Sequence, residues 1–172
     1  DFAIQGEYTG EGMNGEGKQS KLGLQIVALG EGTFQATAFD GGLPGAGWDG
    51  DTKWVYSGKR KGKDKASFAN DQSPISLHYL KGKVIAAKDD QKVGAFEKVT
   101  RKSPTLGAKA PEGAKVLFGG KDNGTLDQLK VTDDGLMKEG AITKDKFQSF
   151  KLHVEFRLPF KPTARGQARG NS

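Results

Sequence analysis

The sequence predicts an all-β protein whose first hundred residues form a small antiparallel β barrel or sandwich. Three observations carry that expectation: a series of short runs rich in β-branched or aromatic residues, 26 glycines among 172 residues, and no window that keeps amphipathic helical spacing for three turns. Glycine reaches positive φ without the Cβ penalty, so a glycine-rich chain of short apolar runs suits strands joined by tight turns.

Taken in order, the predicted strands are LGLQIVAL (22–29), TFQATAF (33–39), KWVYSG (53–58), KASFAN (65–70), ISLHYL (75–80), KVIAAK (83–88) and VGAFEKVT (93–100). GEG at 30–32 and KGK at 81–83 read as hairpin turns, which makes consecutive strands antiparallel neighbours. At RKSPTLGAKAPEGA (101–114) prolines, glycines and alanines leave nothing to bury, so residues 101–113 read as a linker between a unit at 1–100 and a second at 114–172. That second unit opens with a strand at AKVLFGG (114–120) and continues as short strands and turns. It contains the cleanest alternation in the chain, FKLHVEFRLPF at 150–160. There Leu152, Val154, Phe156 and Leu158 share one face, and Lys151, His153, Glu155 and Arg157 the other. The apolar face asks for a second layer, and the backbone for a neighbouring strand.

The formal charge of +6 is unevenly spread: residues 1–50 hold seven acids and two cations, residues 51–100 six acids and eleven cations. The densest basic run, GKRKGKDK at 58–65, contains no aromatic residue. It reads as a solvated hairpin loop rather than a nucleic-acid surface, which gathers cations with exposed aromatics. No window approaches the ~20 apolar residues of a membrane helix. The chain opens on DFAIQGEYTG, without the basic start of a signal peptide, as a mature exported protein also would.

Absence of cysteine excludes disulfides and thiolate chemistry, and two histidines, His78 and His153, are too few for a three-histidine zinc site. GGLPGAGWDG (41–50) lacks both the P-loop ending and the dinucleotide spacing, so it reads as a packed connection with Leu43 and Trp48 turned inward. No cofactor is expected. Asp49 and Asp51, with Asp40 nearby, are candidate oxygen ligands for calcium, set against the commoner role of turn aspartates. No Gly-x-Ser-x-Gly elbow is present. The row His153, Glu155 and Arg157 is the most suggestive constellation: a carboxylate beside an imidazole can move protons, and an arginine can fix a hydroxyl or an anion. Its plain alternative is an exposed strand face of paired charges. Trp48, Trp54 and Tyr56 are candidate sugar platforms, although strand aromatics are more often core.

The segments GEYTGEG, LGLQIVALGEGTFQATAFDGGLPGAGWDG, RKSPTLGAKAPEGAKVLFGGKDNGTLD and KFQSFKLHVEFRLPFKPTARGQARGNS resemble secreted proteins of planctomycete-type bacteria that carry the 3-keto-disaccharide hydrolase domain, formerly a domain of unknown function. The resemblance covers nearly the whole chain. It implies that a small β unit precedes a concanavalin-like jelly-roll sandwich, of which 114–172 would be the opening part. It also implies a periplasmic or extracellular location and a carbohydrate partner, a 3-keto-glycoside, whose 3-keto group acidifies the C2 proton and permits elimination or hydrolysis at C1. In the family, the counterpart of RGQARGNS continues through a Gly-Val-Tyr strand and a Tyr-Glu-x-Gln segment that helps build the sugar site.

Glu155, Arg157, Arg165, Gln167, Arg169 and Asn171 match family positions, and Ala168 stands where the family pattern has glycine; together with the spacing of the polar row this makes Glu155 and His153 the catalytic candidates, and Arg157, Arg165, Gln167, Arg169 and Asn171 the substrate-binding candidates. The expectation is a parent enzyme acting on 3-keto-glycosides and a 172-residue chain inactive by itself. The alternative is an extracellular structural or carbohydrate-binding module that self-associates, as a homo-oligomer or fibre, through strand 150–160.

Overall fold

A computed structural model describes residues 1–14 and 17–169. Two compact units result, one of Asp1–Arg101 with the segment from Arg157 on, the other Lys102–Phe156.

The first unit is a closed antiparallel barrel of eight strands: β1 (Gly6–Met13), β2 (Gln19–Gly30), β3 (Thr33–Asp40), β4 (Lys53–Gly62), β5 (Lys65–Ala69), β6 (Ile75–Leu80), β7 (Lys83–Lys88) and β8 (Gln91–Val99). Consecutive strands pair in order, and β1 closes the ring by pairing with β8, Tyr8 opposite Lys98 and Gly12 opposite Gly94. The seven expected strands are all present. β1, GEYTGEGM, is additional: its glycines hide it from propensity, yet it supplies the closing ladder.

Three hairpins turn on two residues, Glu31-Gly32, Lys81-Gly82 and Asp89-Asp90, all at positive φ. This primed geometry matches the twist of the flanking strands. The run GKRKGKDK is mostly strand rather than loop, since β4 continues to Gly62 and β5 resumes at Lys65.

Period-two alternation sends one set of side chains inward, as in Trp54, Tyr56 and Gly58 on β4 and Ala66 and Phe68 on β5. The interior of an eight-stranded barrel is just wide enough for side chains to fill it. Tyr8, Phe34, Phe68 and Phe96 are fully buried there, interleaved with Ala28, Ala36 and Ala66. Phe34 and Phe68 lie 6.1 Å apart, and Tyr8 meets Tyr79 edge to face at 6.4 Å. Gly58 makes room for Phe68, for a Cβ at that position would come within 2.3 Å of the ring. The Tyr8 hydroxyl donates to the Ile4 carbonyl at 2.5 Å, which fixes the chain entering β1.

A second small apolar cluster lies outside the barrel wall. The 41–50 connection folds over β2, where Gly23 lets the Gly42–Leu43 backbone approach; a Cβ on Gly23 would meet it at 2.5 Å. Leu43 is buried, and Trp48 packs on Phe39 at 5.0 Å, with its indole N–H donating to the Thr52 carbonyl. Leu43 and Trp48 are thus packed as expected, but onto the wall rather than into the main core. Arg101 clasps the barrel's end: its guanidinium donates to both Glu7 carboxylate oxygens, at 2.6 and 2.5 Å, and to the Pro44 carbonyl at 2.8 Å.

The second unit has little regular structure. A two-residue ladder joins β9 (Leu126–Asp127) and β10 (Ile142–Thr143), and a single bridge joins Val131 to Met137. Leu126 is its buried apolar residue, while Val116, Phe147 and Phe150 are exposed. The strands expected at 114–120 and 150–160 are not formed. Leu152, Val154, Phe156 and Leu158 are 63%, 57%, 75% and 56% exposed. The alternation is real, but a strand exists only when a neighbour takes its backbone hydrogen bonds, and every strand of the closed barrel already has two partners. In this chain residues 150–160 form no ladder with another strand.

Candidate functional site

Along the extended segment, His153 and Glu155 project to one side, and the structure brings them together: His153 Nε2 lies 3.1 Å from Glu155 Oε1. The turn at 103–108 adds a third group. Leu106 N–H bonds to the Ser103 carbonyl and Ala108 N–H to that of Thr105, which leaves the Gly107 amide free to donate to Glu155 Oε1 at 2.6 Å. Glu155 is pulled below the usual carboxylate range, first by the Gly107 amide and then by His153. Hydrogen bonds to the charged form favour ionisation. The result is an ionised, oriented carboxylate beside an imidazole, open to water.

Sequence reasoning identified both side chains but not Gly107. A backbone amide carries no residue-type signal, and only the positive φ of 73° that a glycine accepts at 107 hints at the turn.

Arg157 is exposed and belongs to the first unit by contact. Arg165 spends one guanidinium nitrogen on its own turn, donating to the carbonyls of Pro162 and Ala164 at 2.9 and 3.0 Å. Gln167 is exposed in a short 3-10 turn, Gly166–Arg169, whose last residue is Arg169. Asn171 lies outside the described residues.

The turn aspartates serve their own backbone. One Asp49 oxygen accepts the amides of Asp51 and Thr52 at 2.9 Å each, which lowers its pKa, while Asp40 accepts from Asn14 and Ser20 side chains. Among the described residues no group of three or more His, Asp or Glu side chains could hold a metal ion. Tyr56 is buried in the barrel core and Trp54 packs half-buried against it; Trp48 is half covered, with the Lys53 ammonium 5.9 Å from its ring. His78 stands exposed on the outer wall, its ring 2.9 Å from the Ser76 hydroxyl, with no carboxylate among the described residues bonded to it. No helix among the described residues is long and apolar enough to cross a membrane.

Comparison with known proteins returned no match to a protein-family model, a curated protein or a solved structure.

Proposed function

We propose that this chain is the N-terminal portion of an exported, periplasmic or extracellular protein of the 3-keto-disaccharide hydrolase type. In this reading its second unit opens a concanavalin-like jelly-roll sandwich, and the parent cleaves 3-keto-glycosides. The observation that carries the reading is the Glu155 carboxylate, held by the Gly107 amide and touching His153. A 3-keto group acidifies the C2 proton enough for a carboxylate to remove it. Glu155 takes that proton while the C1–O bond breaks and the C1–C2 double bond forms, and a protonated His153 delivers a proton to the departing oxygen. Water adding back at C1 makes the net change a hydrolysis.

The exposed apolar series at 152, 154, 156 and 158 supports the sandwich, since its second layer would cover those side chains. Glu155 stands in open solvent in this chain, so the expected outcome is no turnover of a 3-keto-disaccharide by these 172 residues. The protein isolated from its source turns the sugar over, and Glu155→Gln lowers that rate by about 10²–10⁴-fold, the usual worth of a positioned general base. Turnover untouched by Glu155→Gln refutes the assignment.

The same exposed series also favours a second reading, a non-catalytic module whose 150–160 segment becomes a strand by adding to another molecule's sheet edge. Concentration-dependent growth in light scattering, abolished by Phe156→Lys, is its signature; a monomer at high concentration counts against it.

A further inference from the structure

Two neighbouring hairpins at one end of the barrel carry a set of cations that the ion pairs among the described residues leave unused. Residues 53–65 hold six cations and one acid, Asp64, and the β6–β7 hairpin adds Lys81 and Lys83. Arg60 is taken: its guanidinium binds Asp1 and donates to the Gly62 and Lys63 carbonyls, while its backbone amide donates to the Gly32 carbonyl. That brace fixes the β4–β5 turn to the β2–β3 turn. The Lys81 amide bonds to the Asp64 carbonyl, which joins the β6–β7 hairpin to it. Lys83 pairs with Glu97 at 2.7 Å. Lys59, Lys61, Lys63, Lys65 and Lys81 are exposed and have no ion-pair partner among the described residues.

Strand register sets two of them in rows that cross the wall. Lys59 lies opposite Ser67, which lies opposite His78, and Lys65 opposite Leu80, which lies opposite Lys83. Alternation places Lys59, Lys65, Ser57, Ser67 and His78 on the outer wall, and Lys61 is exposed where the β4–β5 register shifts between Arg60 and Gly62. With strands about 5 Å apart, the row from β4 to β7 extends roughly 15 Å, the length of a few sugar rings.

The geometry points to this wall as a binding surface for a linear anionic polysaccharide, distinct from the His153–Glu155 pair. Like charges held on a braced hairpin repel one another and gain by neutralisation from a polyanion. Lysine ammonium groups act as point charges that accept sulfate or carboxylate alike, without the planar fork that phosphate recognition favours. Serine hydroxyls on the same wall suit sugar hydroxyls, and no exposed aromatic ring stands among these lysines to stack a nucleic-acid base.

The test is binding of the 172-residue chain to three immobilised polymers at 0.15 M salt: heparin for sulfate, polygalacturonate for carboxylate and mixed-sequence duplex DNA. The expected result is retention on heparin, polygalacturonate or both, ahead of DNA at equal charge density. The quadruple variant K59Q/K61Q/K63Q/K65Q weakens it about tenfold or more, whereas K88Q/K92Q on the far hairpin changes it little. Matching circular dichroism of all three proteins keeps folding out of the comparison. No retention on either polysaccharide, equal loss from both variants, or tighter binding to DNA overturns the inference.

Discussion

Replacing Gly58 by alanine tests whether the barrel interior is filled as tightly as its side chains imply. Gly58 sits inward on β4 opposite Phe68 on β5, and its φ is not positive, so the backbone accepts alanine without strain. The added methyl would lie 2.3 and 2.4 Å from two atoms of the Phe68 ring, against an ordinary contact of 3.4–4 Å. The ring must therefore retreat by more than an ångström, yet it is 1% exposed and backed by Phe34. Overpacking of this kind costs ~1–3 kcal/mol, offset by roughly 0.5 kcal/mol from the stiffer unfolded chain. The net loss is about 0.5–2.5 kcal/mol, and its central value near ~1.5 kcal/mol lowers the melting temperature by roughly 6–12 °C in a domain of this size. Urea and thermal unfolding followed by far-UV circular dichroism give the number. The double variant Gly58→Ala/Phe68→Leu supplies the control, because leucine opens the space the methyl needs and the two changes should couple by about 1 kcal/mol or more. A Gly58→Ala protein within 0.5 kcal/mol of the parent, or a cycle with no coupling, refutes the packing argument.

Tyr8→Phe removes the hydroxyl that holds the Ile4 carbonyl and should cost about 1–2 kcal/mol, with faster amide exchange at residues 2–6 as its local sign. Glu7, held by Arg101, has its pKa lowered by that hydrogen-bonded pair, so its contribution is complete above the ordinary value of 4.5 and is lost as pH falls through the lower folded value. Denaturation midpoints from pH 7 to 3 should accordingly fall less steeply in Glu7→Gln than in the parent; parallel curves would dismiss the clasp. Leu152→Ser should leave barrel stability within about 0.5 kcal/mol, since that side chain is largely in water already. Gly23→Val should detach the 41–50 connection, read as a red shift of Trp48 fluorescence larger than any change in far-UV ellipticity.

The barrel was largely legible in the sequence because its signals are local. Alternation in TFQATAF and KVIAAK and turn residues at 30–32 and 81–83 each decide a few neighbouring dihedrals, and the ladders follow from consecutive pairing. Closure was not legible. It depends on Gly6–Met13 meeting Gln91–Val99, and a strand with three glycines among its eight residues is stabilised by its two neighbours rather than by its own propensity. The same logic misled at 150–160, where a stronger alternation forms no strand for want of a neighbour. Trp54 and Tyr56 show the ambiguity of face: alternation says that they share a side with Gly58 but not which side is the core.

At the candidate site the sequence by itself determined the residue types and the one-sided spacing of His153 and Glu155, since both follow from the period of extended backbone. Tertiary structure decided the rest. It brought the Gly107 amide to the carboxylate across 48 positions of chain, and it turned a basic run into an ordered wall by joining the β4–β5 and β6–β7 hairpins. The physical reason is the same in both cases: local pattern fixes the direction of a side chain, whereas its electrostatic neighbours come from distant backbone that only a closed set of hydrogen bonds can place.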